Sequence, residues 1–445
     1  MQIRTKGMLV AVATATVALV ATFVAPANAG TSAAACANVG SGYAVQKGAT
    51  VEVFTSVIQP ELSHYIAASK DFTACTGISI NWNGTNDFES QLPVRVAGGT
   101  APDLALIPQP GLIQQMVATG KAVPAPSQTV SNVNRYWSAG WKGYGSVNGK
   151  LYAAPNSANL KSLVWYSPKQ FAKNGYTVPT TWTQMFAQSD KMAAAGQTAW
   201  CGGLGSGTAT GWPATDWLEE VVLREAGPTV YANWISHKVK FSDAPIIHAM
   251  NTVWGWMGNS KYVGTVSTIA TTTFQNAGQG IPSGKCMQLQ QASFYATQYP
   301  AGTVVSPTGD VWAYYLPGIN PSVTTPVEGG GEFYLAFNSK KATQEVQNFF
   351  SSPQWAISMI KAYGANGGWV SANSGVPLST YTQPIDQLSA KYLADPKSTF
   401  VFDASDAMPA AVGAGTEWTD LTNWFANGTS AATIASQIDS SWPTN

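Results

Sequence analysis

An α/β fold is what this sequence predicts, and three features carry the prediction. Residues 49–118 alternate strand and helix patterns at short spacing. The chain has 445 residues, too many for one hydrophobic core, so two lobes are expected. Past the N-terminus no stretch is long and apolar enough to span a bilayer.

The first element is an export signal. Arg4 and Lys6 make a basic start, Met8 to Val24 is apolar, and Ala27-Asn28-Ala29 offers small residues where a signal peptidase reads. Pro26 and the Ala- and Thr-rich run argue against an anchor, which wants roughly 20 strongly apolar residues. The signal therefore spans 1–29, and the chain is expected to be exported and extracytoplasmic. Lipid anchoring at Cys36 is the alternative not favoured, because Ala33-Ala34-Ala35 is a poor lipobox. Residues 30–47 are small and polar and read as a linker.

The first strand is Ala49 to Phe54. A helix opens at Gln59-Pro60-Glu61 and runs to about Cys75, with Leu62, Tyr65, Ile66, Ser69 and Phe72 on one face and Gly77 as its stop. Ile78 to Trp82 is a strand, and Phe88 to Val96 a helix ended by Gly98-Gly99. Asp103 to Pro108 is a strand apolar on both faces, as in a buried parallel sheet. Leu112 to Ala118 is the next helix. This is a doubly wound lobe, in which ligands bind beyond the carboxyl ends of the strands. The rule points at Thr55-Ser56, at Asn83 to Asp87 and at Gln109-Pro110. Farther on, Leu151 to Tyr166 reads as two strands, with Asn156 to Asn159 as an interlobe crossing. Helices are expected at Trp182–Ala195, at Asp216–Glu225 with a stop at Gly227-Pro228, at Pro245–Trp256 and at Ala342–Phe350. Gly329-Gly330-Gly331, before an apolar strand at Phe333–Phe337, fits a flexible crossing.

Charged residues make up only 10% of the chain, and 23 acids balance 23 bases. No basic stripe serves nucleic acid or an anionic membrane. The 17 Trp, 17 Tyr and 16 Phe beside many amides and hydroxyls suit a neutral polyhydroxy ligand, although most of these rings belong to the core. Four cysteines in an oxidising compartment allow three pairings, of which Cys36–Cys75 with Cys201–Cys286 is favoured. No CxxC pair argues for a metal, and none is expected.

Catalytic signatures are weak. His64, His237 and His248 form no HExxH pair, and Gly205-Ser206-Gly207 lacks the glycines flanking a nucleophile elbow. Paired acids for glycoside hydrolysis would be Asp216 with Glu220, Glu328 with Glu332, or Asp403 with Asp406. Such acids equally serve as acceptors for sugar hydroxyls. The run Thr210 to Trp217 brings Trp212, Asp216 and Trp217 to a loop and helix start, where indoles stack on a sugar and a carboxylate fixes its hydroxyls. Gln288 to Phe294 adds Gln290 and Phe294, and Phe402 to Pro409 adds Asp403 and Asp406. With Asp87 and Gln109 from the first lobe, these nine residues are the expected ligand site.

The ordered set Asn86 to Leu92, Gly98 to Asp103, Ile107 to Gly111, Leu160 to Tyr166, Trp200 to Gly202, Thr210 to Trp217, Cys286 to Phe294 and Phe402 to Pro409 resembles the family 1 extracellular solute-binding proteins of carbohydrate ABC transporters. Within that family the maltose-binding-protein-like, alpha-glucoside-type members are the most similar. The resemblance implies a type II periplasmic-binding-protein-like fold: two lobes, each a sheet flanked by helices, joined by a multi-crossing hinge and closing on a sugar. Lobe limits are then expected at 48–156 with 329–371 and at 157–328 with 372–445. It also implies no catalysis, no cofactor, a monomer, and the transmembrane subunits of an ABC importer as partner. The rivals are a secreted glycoside hydrolase and a binding protein for a non-sugar solute.

Overall fold

The computed structural model describes residues 32–365 and 367–444; the signal segment 1–29 lies outside them. The chain builds two α/β lobes around separate cores. In the first, the strands are β1 (Thr50–Thr55), β2 (Ser79–Gly84) and β3 (Leu104–Ile107). Both β2 and β3 run parallel to β1. The helices between them are α2 (Leu62–Ala68), α3 (Lys70–Thr76) and α4 (Phe88–Ala97), and α5 (Pro110–Ala118) follows β3. Alternation along β1 sends Val51 and Val53 to one face and Phe54 to the other, and apolar side chains cover both. All four residues of β3 are buried, as its uninterrupted apolar run predicts.

The helix expected from Pro60 to Cys75 is two helices. Ser69 turns its hydroxyl back onto the Tyr65 carbonyl (2.7 Å) and accepts the Trp82 indole N–H (3.1 Å), and the axis breaks there. The expected linker also differs. Ala33–Val39 is a helix, α1, capped by Ser32, with Ala35 and Val39 in the first core. Cys36 is disulfide-bonded to Cys75 on α3, and Cys201 to Cys286 in the second lobe.

After the short hairpin β4 (Ser146–Val147) and β5 (Lys150–Leu151), β6 (Ala153–Pro155) joins the first sheet. Next, β7 (Asn159–Leu160) and β8 (Leu163–Tyr166) enter two sheets of the second lobe. There β8 lies between β9 (Gln288–Gln290) and β10 (Trp312–Tyr315), and β11 (Pro326–Gly330) lies between β7 and β13 (Thr399–Phe402). The chain returns through Gly331 to β12 (Phe333–Ala336), which pairs with β3 and β6 and completes the first sheet in the order β2-β1-β3-β12-β6. Farther along, Val370, Val376 and Tyr381 pack in the first lobe and Ile385 in the second.

The crossings are densely packed. Asn156 and Ser157 are buried, and a Cβ on Gly331 would lie 2.3 Å from the Ser157 carbonyl and 2.7 Å from the Trp141 ring. Close approach therefore requires glycine here, and the flexibility expected of the triple glycine is not its role. The helix expected over Asp216–Glu225 begins earlier, at Trp212, and ends where expected: Gly227 leaves helical geometry (φ 82°, ψ 173°), and a second helical segment runs on from Pro228 to Ile235.

Candidate functional site

A cavity of about 180 Å³ lies between the lobes. Strand ends line it, as the doubly wound topology demands. The first lobe contributes Ser56 to Gln59 after β1, Asn86 and Glu89 around the start of α4, and Pro108-Gln109 after β3. The second contributes Trp212, Phe274, Phe294, Asp403, Asp406 and Trp418, and the crossings contribute Ser157, Asn159 and Gly330 to Glu332.

Trp212 opens its helix and stands over an aromatic floor. Its ring meets Phe274 edge-on at 5.1 Å and Phe294 at 6.0 Å, and the Lys161 ammonium lies 5.9 Å above the indole. Lys161, just after β7, is the only cationic residue on the cavity wall among the described residues, and it is already engaged. Its Nζ donates to Asp216 Oδ1 (2.6 Å) and to Asp403 Oδ2, with Glu328 Oε1 at 3.9 Å. Burial alone would lower the pKa of this ammonium; Asp216, Asp403 and Glu328 outweigh that and hold it well above the ordinary lysine value. Carboxylate oxygens of Asp216, Glu328 and Asp403 lie within 4.8 Å of one another, a spacing open to a metal ion. The ammonium already supplies a positive charge at their centre.

Behind this cluster the helix Trp212–Ile235 buries Glu219 and Glu220. Glu219 accepts from the backbone N–H groups of Ala404 (2.6 Å) and Ser405 (3.0 Å) and from the Tyr231 hydroxyl (3.0 Å), which fixes the Asp403–Asp406 turn. Glu220 pairs with Arg224. Burial pushes Glu219, Glu328, Asp406 and Glu417 well above the usual carboxylate range.

The first-lobe wall has its own acids. Glu332 Oε2 accepts from Tyr65 (2.7 Å), Ser157 (2.9 Å) and Asn156 (3.1 Å), and Glu61 Oε1 accepts from Tyr363 (2.5 Å). Burial pushes Glu61 and Glu89 up to about 7. Glu89 Oε1 accepts from the Gln109 amide at 3.2 Å. The other oxygens of this pair, Glu89 Oε2 and Gln109 Oε1, are buried and accept nothing from the protein.

Of the nine expected site residues, Gln109, Trp212, Phe294, Asp403 and Asp406 line the cavity. Asp216 lies one turn behind Trp212, covered by Lys161. Trp217 is core, edge-on to Phe425 at 5.3 Å. Gln290 is buried and donates to the Lys161 carbonyl at 2.9 Å, and Asp87 precedes α4 beside the wall without lining it. Sequence reasoning passed over Lys161, Glu61, Glu89, Trp369 and Trp418. A lysine between apolar Leu160 and Leu163 was a usable signal; the others sit in ordinary helix or loop contexts. Glu332 was paired with Glu328 as hydrolytic acids, yet the two serve different clusters on either side of a crossing. None of the three histidines lines the cavity.

The two lobes, the crossings and this enclosed cleft define a receptor that binds a solute between its halves. Residues 59–357 match the family of bacterial extracellular solute-binding proteins, and the chain belongs to it. It is a binding protein, not a glycoside hydrolase. It is 33% identical to the osmoprotective compounds-binding protein of Synechocystis over 84% of this chain and 87% of that one. It is 32% identical to the alpha-glucosides-binding periplasmic protein of Rhizobium meliloti over 89% and 87%. Among solved structures, the fold matches a bacterial solute receptor described as preferring β-D-galactopyranose (TM-score 0.75, 17% identity, 88% of this chain and 98% of that one). It also matches the acarbose-binding GacH receptor of Streptomyces glaucescens (TM-score 0.68, 14% identity, 89% and 97%).

Proposed function

We propose that the cleft captures a neutral sugar, with α-glucosides the first class to test, and that the protein delivers it to an ABC importer. The observation that carries this reading is the chemistry of the wall. Aromatic faces at Trp212, Phe274 and Phe294 suit the CH surface of a pyranose. Unfilled acceptors at Glu89 and Gln109 suit hydroxyl donors. The one wall cation is consumed by Asp216 and Asp403, so nothing is left for an anionic ligand. The name of the Rhizobium relative supports the glucoside class. In this reading the protein acts outside the cytoplasm as a monomer, with lobes divided near 156, 329 and 371, and docks on the importer's transmembrane subunits. This reading keeps Cys36 for its disulfide with Cys75, whose formation uses the sulfur that a lipid thioether would need.

Titration calorimetry against maltose, trehalose, sucrose, raffinose and galactose tests the ligand class. At least one should bind with a dissociation constant in the micromolar range or tighter. Binding of glycine betaine with no response to any glycoside would replace the sugar by a non-sugar solute.

A further inference from the structure

We propose that Glu89 reads a hydrogen-bond donor of the ligand, and reads it as a carboxylate, so that capture is coupled to release of a proton. The inference rests on the cleft being the sugar site and adds a specificity residue and a linkage to it.

The geometry singles out Glu89 among the wall acids. Glu332 Oε2 accepts from Tyr65, Asn156 and Ser157 and Glu61 Oε1 from Tyr363, and among the wall acids only Glu89 keeps a buried oxygen that accepts nothing. Asp403 and Asp406 belong to the Lys161 cluster, where Asp403 binds the ammonium and also accepts the Asp406 N–H at 2.7 Å. Glu89 alone of the wall acids is tied to a neutral amide that is itself half-filled. Gln109 is 3% exposed, its Nε2 donates to Glu89 Oε1, and its Oε1 accepts nothing. The pair thus keeps two unfilled acceptor oxygens, both buried, on residues that line the cavity. Two neighbouring hydroxyls of a pyranose, each donating one hydrogen, complete it.

No cation offsets the charge of Glu89. Asp87, two residues earlier, opposes ionisation, while Gln109 and the backbone favour it weakly against burial. On the same helix Arg95 is committed to Glu52 at 2.8 Å. Burial leaves the free acid titrating at about 7, so the empty site holds a mixture of carboxyl and carboxylate. A ligand O–H that donates to Oε2 favours the ionised form. The proton then leaves to solvent: Glu89–COOH becomes Glu89–COO⁻ with no bond broken in the ligand.

The test uses the full mature protein and the tightest-binding member of the glycoside panel. Calorimetry at pH 7 in buffers of different ionisation enthalpy should show heats that track the buffer, which reads proton release directly and needs no variant. Affinity should rise about tenfold between pH 6 and pH 8, since a group titrating near 7 must ionise to bind. Glu89→Gln should flatten this profile and weaken binding about tenfold at pH 8, with an unchanged melting curve at pH 6. Buffer-independent heats in the wild type would overturn the proposal. So would a pH profile that survives in Glu89→Gln, which would move the linkage to Glu61 or Glu332. If no glycoside binds, the sugar reading fails and this inference falls with it; glycoside binding without proton release sinks only the inference.

Discussion

Trp212→Ala and Trp217→Ala are expected to fail in different ways, although the two indoles sit five residues apart on one helix. At about 100° per residue, position 217 points well away from 212. Trp212 is half-buried on the cavity wall, whereas Trp217 is 1% exposed among Phe425 and its neighbours. Trp217→Ala should cost about 3–5 kcal/mol of stability by emptying the core and leave the affinity of the surviving fold unchanged. Trp212→Ala should leave the ligand-free melt within a few degrees and weaken binding tenfold or more, by about 1.4 kcal/mol. Denaturant melts and calorimetry on the two variants separate these outcomes, and a large loss of apo stability in Trp212→Ala would remove its role as a stacking face. The same helix shows how far the site was legible. Loops after β1, β2 and β3 follow from topology, so Gln109 could be placed from its strand end alone. Asp216 could not, because the lysine that covers it comes from 55 residues earlier in the chain.

At the scale of elements, α1 is held by its disulfide, by hydrogen bonds from Asn38 to Asp71 (2.7 Å) and from the Ser32 N–H to the Ala74 carbonyl (3.2 Å), and by little apolar burial. It buries only Ala35 and Val39, too few for an apolar stripe, and its Ala- and Ser-rich sequence reads as linker. The disulfide to α3 supplies what periodicity lacks, and this is why the helix is invisible to pattern reading. Cys36→Ser with Cys75→Ser should lose about 2–4 kcal/mol and expose residues before β1 to protease, with ligand affinity within twofold. Limited proteolysis with mass mapping reads this directly; cleavage starting elsewhere would show that α1 is held by packing. Strands were easier to place than crossings. The apolar run of β3 announces burial, but the glycines before β12 carry no mark that separates close packing from flexibility. Only the Ser157 carbonyl and the Trp141 ring pressing on Gly331 make that distinction.

For the whole molecule, the two cores touch across the cleft. Thr208 donates to the Asn86 carbonyl at 3.2 Å, and a Cβ on Gly111 would lie 1.9 Å from the Met408 carbonyl. Gly111→Ala should hold the lobes apart, weaken ligand binding at least tenfold and spare the melting of each lobe. Small-angle scattering should show wild-type compaction on adding ligand and none in the variant; equal compaction would place the closing contact elsewhere. Stability should depend on pH in an unusual direction. Glu61, Glu89 and Asp386 are each pushed up to about 7 by burial, so the native state keeps protons that the unfolded chain releases near pH 4. Between about pH 4 and pH 7 their effect makes stability fall as pH rises. Glu52, Asp103, Asp310 and Asp439 are held below their ordinary values, and what they contribute is lost only as pH drops below about 4. The ligand-free melting temperature should therefore peak near pH 4, and a maximum at pH 8 would contradict the protonation assigned to these groups.

The same buried carboxyls govern how the folded chain moves in an electric field. Acids and bases are equal in number, so composition alone describes a nearly isoelectric protein at neutrality. Burial raises Glu219, Glu328, Asp406 and Glu417 well above the usual carboxylate range, so folding favours their protonated forms. Folding thus moves the charge balance in the positive direction. On a focusing gel the native band should settle at higher pH than the band run in urea, so that electrophoretic position alone reports whether the acid-filled core has formed.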